Sequence, residues 1–572
     1  MRVSENDSDP AFISLNHKID DQNFFMSQDQ QHEIQAVPES NAEQMSQLAP
    51  NDGQSPSGEN SAGAPKDQAY DTQLHENPKK SIRKGFVWIG FASIVSQILD
   101  AAAMVVAMIF LTTQEMGMMT LALSFSVIFE AFNSLGTNQA LLQDNKLTPQ
   151  ETHSVFWFAS GFGIVLYLIG LPIVWPMAAF YESAALIPLF LVALIKVPLV
   201  SFAAIPLQLI NRRFEYKKIS AITTLTTLTC NILKIVLAVL GFGAWSFVIP
   251  SVCYGGGTLL GAFLLAHYRP QIHFKWFECK RFIQYGVKTC MGNAFDQLVK
   301  NLHFFIVGKF LGEGALGVYK IAYELAMTPA LALYNVVGKS SFPIFSRLQD
   351  KRAELSDLFK WNQRNLSIFA AIPCVFLLFC AVDIFNFLPN KDWNGAAPII
   401  PFALALAYIR SIAQTYPDLY RACGHPEYPI GVSGAECALV LVFCSGILFF
   451  FPQTGIPGML SVWTCILLGM FMIHRILRRK FVDVTVLGML RQISHGLLIM
   501  IMVGLISFVP YHFLHRFEAD NPSYFIQLFS WNIDLVQYMS YIRIGVETLI
   551  ILACILLYRR LSKRQRPASG KS

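Results

Sequence analysis

From residue 85 onward this chain is a succession of apolar runs about 20 residues long, a pattern that few folds accommodate. Wound as a helix, such a run is about 30 Å long, the hydrocarbon thickness of a bilayer. Charged residues make up only 14% of the 572 and hydrophobic ones 53%, whereas soluble proteins carry roughly a quarter charged residues. The runs predict an all-α membrane protein of about fourteen spans. Spans 1–6 cover 86–111, 116–137, 154–176, 184–206, 219–241 and 244–266. Spans 7–12 cover 283–307, 319–343, 365–388, 396–416, 430–451 and 456–474, and spans 13 and 14 cover 492–511 and 539–558.

The loops carry the orientation. With the amino terminus cytoplasmic, the loops on that side and the two flanking segments hold 30 Lys/Arg, while the outer loops hold only Lys309, Lys391 and Arg516. Basic residues stay on the cytoplasmic side, so both ends of the chain are expected there, in the cell inner membrane. Losing or adding one span would scramble the alternation. Every outer loop is short, the longest having about 27 residues, and there is no Walker-type phosphate loop. An ATP-driven pump and a membrane glycosyltransferase with a large outer domain are both disfavoured, and no enzyme activity is expected.

Residues 1–80 are of another kind. The first 78 hold 14 Asp/Glu against three Lys/Arg (Arg2, Lys18 and Lys66) and no apolar periodicity, so a disordered acidic cytoplasmic tail is expected. The rest of the chain is left with a net charge of +17. The eleven cysteines form no CxxC pair, and most lie inside apolar runs, as Cys230, Cys374 and Cys444 do. Neither a disulfide, a metal, a cofactor nor a nucleic-acid partner is expected.

A repeat organises the membrane part. At an offset of 200 residues Phe110-Leu111 matches Phe310-Leu311, Gly117 matches Gly317 and Ala122 matches Ala322. Span 1 carries Ser93, Ser96, Gln97 and Asp100, and span 7 carries Asn293, Asp296, Gln297 and Lys300. Both sets follow the i, i+3, i+4, i+7 spacing of one helix face. Two pseudo-symmetric six-helix lobes are therefore expected, 81–280 and 281–480, with two extra helices and a basic end in 481–572. Further stripes fall on span 2 (Ser126, Glu130, Asn133, Thr137), span 5 (Thr223, Thr227, Asn231, Lys234) and span 8 (Glu324, Thr328, Asn335, Lys339). Such faces serve either as interhelical hydrogen-bonding glue or as the lining of a wet interior.

An ionised side chain in hydrocarbon costs roughly 2.5–3.5 kcal/mol, so charges far from span ends mark the interior. Lys196, Lys234 and Lys300 are the candidate cations for an anionic head group such as a diphosphate. Asp100, Glu130 and Asp296 are the carboxylates that would balance them or take part in ion coupling, and Gln97, Asn293 and Gln297 complete the polar lining. Asp100 and Lys300, equivalent under the repeat, are expected to face each other and pair. Lys288, Lys320, Lys339, Arg410 and Arg543 sit near span ends, where snorkelling accounts for them, and Asp383 and Glu436 are set aside for the same reason.

Several segments, in order, carry a family resemblance. They are Ile205-Pro206 with Asn211-Arg212-Arg213-Phe214-Glu215-Tyr216-Lys217, and Gly241-Phe242-Gly243-Ala244-Trp245. Further along come Leu316-Gly317-Val318-Tyr319 with Ala322-Tyr323 and Pro329, then Phe342-Pro343-Ile344-Phe345-Ser346-Arg347-Leu348-Gln349, then Trp393 with Ala396-Ala397-Pro398. Between about 85 and 480 the chain resembles the Wzx-type polysaccharide flippases of the multidrug/oligosaccharidyl-lipid/polysaccharide exporter superfamily. The long acidic tail departs from that pattern. The resemblance implies alternating access between two lobes, a cationic cavity and an undecaprenyl-diphosphate-linked glycan as substrate. Membrane lipids, and polysaccharide polymerase and co-polymerase proteins, are the implied partners. Arg212, Arg213, Lys217 and Lys218 suit either diphosphate recruitment or anionic lipid. The competing functions are a cation-coupled multidrug exporter of the same superfamily and a non-transporting subunit of an assembly complex.

Overall fold

The computed structural model describes residues 95–549, apart from 98, 144–146, 214, 426, 484–487, 489–493, 509–524, 529–530, 535–543 and 547. The acidic tail, the start of span 1, most of span 14 and the basic C-terminal end lie outside the described residues.

Helices follow the apolar runs. The first six are α1 (Val95–Phe110), α2 (Thr113–Ala131), α3 (Pro149–Phe180), α4 (Leu186–Arg212), α5 (Tyr216–Val239) and α6 (Trp245–Ala266). One helical stretch, Trp276–Arg347, contains α7 (276–311) and α8 (313–347), divided at Gly312. Then come α9 (Arg352–Phe387), α10 (Lys391–Ala422), α11 (Glu427–Phe450), α12 (Gly455–Arg478) and α13 (Ser494–Phe508). Residues 544–546 and 548–549, within span 14, are also helical. Among the described residues the strands are those of one hairpin, β1 (Phe525–Leu528) antiparallel to β2 (Trp531–Asp534).

Helix ends differ from the apolar limits where capping or polar turns extend them. At α3, Thr148 accepts from the Glu151 amide at 3.3 Å while the Glu151 carboxylate accepts from the Thr148 amide at 3.0 Å. With Pro149 at the first position, this starts the helix one turn before the apolar run. The predicted loop 308–318 does not exist. The chain stays helical on both sides of Gly312, whose φ of 84° and ψ of 170° are a conformation open essentially to glycine alone. Beyond α2 the backbone takes positive φ at Ser134, Leu135 and Gly136 (55°, 46° and 70°). Each of the two non-glycine residues costs roughly 1–2 kcal/mol there.

The lobes meet most closely at the end where α1 turns into α2. A Cβ on Gly117 would stand 1.8 Å from the Glu313 carbonyl oxygen, and one on Gly317 would stand 1.9 Å from that of Thr113. Residues 113 and 313, like 117 and 317, differ by the repeat offset. The repeat is thus expressed as a two-fold crossing of α2 and α8, backbone against backbone. Bonds between the lobes surround it. The Trp393 indole donates to the Met108 carbonyl at 2.6 Å, the Tyr181 hydroxyl to Phe305 O at 3.1 Å, and Gln114 to the Glu313 carboxylate at 3.1 Å. One buried core, running from Ala107 to Leu467, joins helices of both lobes. Three smaller cores sit apart, the least of them around Val375 and Val503. Another gathers Leu141, Phe156, Ile205 and Tyr268, and the third gathers Phe345, Phe359, Tyr416 and Tyr420.

Candidate functional site

Each of the three predicted cations is held by a carboxylate. Lys196 on α4 lies 3.0 Å from Glu130 on α2, and both side chains are mostly buried. The Glu130 carboxylate also accepts from the Ser126 hydroxyl at 3.3 Å. Lys234 on α5 lies 3.3 Å from Asp100 on α1 and donates to the Asn231 side chain at 2.8 Å. α6 borders both pairs: the Lys234 ammonium lies 5.5 Å from the centre of the Phe247 ring, and a Cβ on Gly255 would stand 3.2 Å from the Lys196 side chain. Asn133 lies one turn beyond Glu130 and accepts from Ser201 of α4 at 2.6 Å, so the span 2 stripe faces α4.

In the C-lobe, Lys300 lies 2.5 Å from Asp296, one turn back on α7. This corrects the expected Asp100–Lys300 pair. Each group instead has a nearer partner, Asp100 across to α5 and Lys300 along its own helix. Asn293 and Gln297 are half-buried on the same helix, and Gln97 is half-buried on α1. The side chains of Lys288, Asn335 and Lys339 lie outside the description, as does Arg543.

A charge pair that sequence reasoning set aside proves to be among the most enclosed. Arg410 on α10 is 5% exposed and donates to the Glu436 carboxylate of α11 at 3.1 Å. The Trp463 indole of α12 donates to the same oxygen at 3.2 Å, and its ring lies 5.3 Å from the guanidinium. Snorkelling is therefore the wrong account of Arg410. Its helix runs on to Ala422, which places residue 410 well inside rather than near an end. Asp383 is likewise buried. Lys320 is bonded to Glu324 and lies over the Phe304 ring instead of reaching for an interface. Arg410, Glu436, Gln414, Ser433 and His474 line a pocket within the C-lobe, and Asp296 lines it as well.

The first turns of α7 and the segment just before them are clamped to the start of α3. Ser154 donates to Glu278 at 2.5 Å, Arg281 lies 2.7 Å from Glu151, and the Trp157 indole donates to Gln271 O at 2.8 Å. Burial pushes the Glu278 carboxyl up, but the Ser154 hydroxyl and the His273 ring outweigh it and hold the group below the usual carboxylate range.

Known proteins match this chain in sequence and in fold. The family described as polysaccharide biosynthesis protein matches residues 106–398. Lipopolysaccharide biosynthesis protein WzxC of Escherichia coli (strain K12) is 24% identical over 59% of this chain and 69% of its own length. Teichuronic acid biosynthesis protein TuaB of Bacillus subtilis (strain 168) is 21% identical over 75% of this chain and 89% of its own. Among solved structures, the lipid II flippase MurJ in an inward closed conformation superposes with a TM-score of 0.58 at 14% identity. That match covers 83% of this chain and 99% of the flippase. An inward-facing multidrug resistance MATE family transporter gives 0.50 at 12% identity, over 67% and 95% of the two chains. At such identities the solved structures speak for the fold alone, a helical membrane transporter fold.

Proposed function

Since the chain belongs to the polysaccharide biosynthesis protein family, we propose that it carries a lipid-linked oligosaccharide repeat unit across the inner membrane by alternating access of its two lobes. The carrier lipid in this reading is undecaprenyl diphosphate. The observation that carries the proposal is the pairing of Lys196, Lys234 and Lys300 with Glu130, Asp100 and Asp296. In the empty protein the carboxylates keep the cations from being uncompensated. A diphosphate offers each lysine a stronger, doubly charged acceptor and displaces the carboxylate. The displaced charges then favour a different lobe arrangement, because only a difference in affinity between two states can shift their balance. No group in this scheme performs a covalent step.

The reading places both termini in the cytoplasm and makes the polymerase that receives the exported unit a natural partner. The names of the two relatives, which concern lipopolysaccharide and teichuronic acid, point to a surface polysaccharide. A direct test replaces Lys196, Lys234 and Lys300 singly with Ala in a strain that depends on this protein for export. Each variant should insert at the parental level yet leave lipid-linked glycan on the cytoplasmic leaflet. Lys300→Arg should retain part of the activity, since it keeps the charge and changes the geometry. Normal export by all three Ala variants would refute the proposal.

A further inference from the structure

The basic cluster at the exit of α4 is engaged inside the protein. Arg212 donates to the Leu141 carbonyl at 3.0 Å, and Arg213 donates to that of Ala266, the last residue of α6, at 3.1 Å. Lys218 donates to Glu215 at 2.9 Å and to the Leu265 carbonyl at 3.3 Å. These cations satisfy carbonyl oxygens that helix ends leave open, which ties them to the fold. Other cations stand outward on the link between α6 and the first turns of α7, where Arg269, Lys275 and Lys280 are exposed. Among the described residues only Lys275 of these three has an ion pair, a loose one at 3.8 Å from Glu278.

The same segment turns apolar side chains outward while its other side is pinned. Ile272, Phe274, Trp276 and Phe277 are between 54% and 96% exposed, whereas Tyr268, Cys279 and Phe282 are buried in the core around Phe156. The bonds to the start of α3 hold the backbone in place, so the outward side chains cannot fold back onto the protein. A fixed apolar patch of this kind marks a surface that something else covers. Helix length says what. α7 covers 276–311 and is roughly 54 Å long at about 1.5 Å per residue. A bilayer with its headgroups measures about 40–45 Å, and the apolar run of span 7 begins only at 283, so the turns before it lie at headgroup level. We propose that residues 269–280 form an anchor for acidic phospholipid. The apolar side chains enter the boundary between headgroups and acyl chains, and Arg269, Lys275 and Lys280 meet the lipid phosphates. Because the segment is bonded to α3, the anchor sets the height of the N-lobe in the bilayer.

The test reads where that face sits. A bimane label on Phe277→Cys, in the full cysteine-free chain in nanodiscs, should be quenched by lipids with brominated chains and shielded from iodide in the water. At equal mole fraction, brominated phosphatidylglycerol should quench more than brominated phosphatidylcholine. Changing Arg269, Lys275 and Lys280 together to Gln should remove that preference, which is at most about fivefold per cation at the surface. Both leaflets of a nanodisc hold the same lipids, so the result depends neither on sidedness nor on the cargo. Native mass spectrometry of the unlabelled chain gives a second reading, in which the triple Gln variant should retain fewer phosphatidylglycerol molecules than the parent. Quenching by iodide but not by brominated lipid would overturn the anchor, and so would equal quenching by the two brominated lipids. Shielding from both quenchers would mean that another protein or a second copy covers the face, and the lipid anchor would be wrong. Equal lipid retention by parent and triple variant would refute the role of the three cations, and with it the recognition of acidic lipid.

Discussion

Adding one methyl group at the α2–α8 crossing should alter which side of the protein is closed. The Cβ of Gly117→Ala would sit 1.8 Å from the Glu313 carbonyl oxygen, where real Cβ atoms essentially never come within 3.0 Å. The obstacle is backbone, not the end of a flexible side chain, so the two helices must part by more than an ångström. Overpacking of this kind costs about 1–3 kcal/mol. The cost falls only on the arrangement in which the crossing is closed, so the balance should move about 5–150-fold toward the other one. Gly317→Ala meets the Thr113 carbonyl at 1.9 Å and should act alike. Both methyl groups are relieved by the same separation, so the double variant should fall well short of the sum of the two. Gly161→Ala is the control, because a Cβ there meets nothing within 4 Å. The assay is thiol cross-linking in a cysteine-free background, with cysteines at Gln114 and Glu313, whose side chains lie 3.1 Å apart. Cross-linking should be efficient in the parent and in Gly161→Ala, and should fall in both crossing variants. Parental cross-linking in Gly117→Ala and Gly317→Ala would refute the close crossing itself, whatever the transport rates.

Other expectations rest on separate parts of the molecule. Arg410→Ala leaves the Glu436 carboxylate buried without its cation and should cost about 3–5 kcal/mol, seen as a lowered melting temperature in detergent. Changing Arg410 and Glu436 together to Met should recover most of that stability, and a single variant that melts with the parent would show the pair to be solvated. Deleting residues 1–78 while keeping Lys79, Lys80, Arg83 and Lys84 should leave insertion and export intact; lost export at normal insertion would give the tail a function. A cysteine in 207–218 should resist an impermeant thiol reagent applied from outside while one in 512–538 reacts, and the opposite pattern would overturn the orientation drawn from the basic residues.

What the sequence discloses here depends on how local the physics is. Apolar length is local, so the spans are legible in the sequence, and where described every predicted span is helical over most of its length. Cap chemistry is local too, but the apolar run of span 3 begins only after the polar turn in which Thr148 and Glu151 cap the helix. Which lysine meets which carboxylate is not local. The 200-residue offset makes Asp100 and Lys300 equivalent, but equivalence does not bring them into contact. A two-fold axis brings equivalent residues together only where they lie close to it. The crossing at Gly117 and Gly317 lies there, which is why a pair of identical glycines was the soundest part of the repeat. Asp100 and Lys300 lie further along their helices, and each turns into its own lobe.

Arg410 failed for a related reason. Its apolar run ends soon after residue 410, but α10 continues through a polar turn to Ala422. A charge near the end of a run can be far from the end of a helix. The signal that would have found it was an apolar run too short for its helix, together with a matching buried acid, Glu436, on the next span. The same correction reshapes the mechanism. Three half-exposed or partly buried lysines, each with its own carboxylate, make a set of exchangeable charges, whereas Arg410 and Glu436 form a fixed pair behind them. Exchangeable charges can follow a ligand and fixed ones can only bias them. Asp296 holds an exchangeable cation and also lines the pocket of the fixed pair, so the two sets of charges meet at that residue.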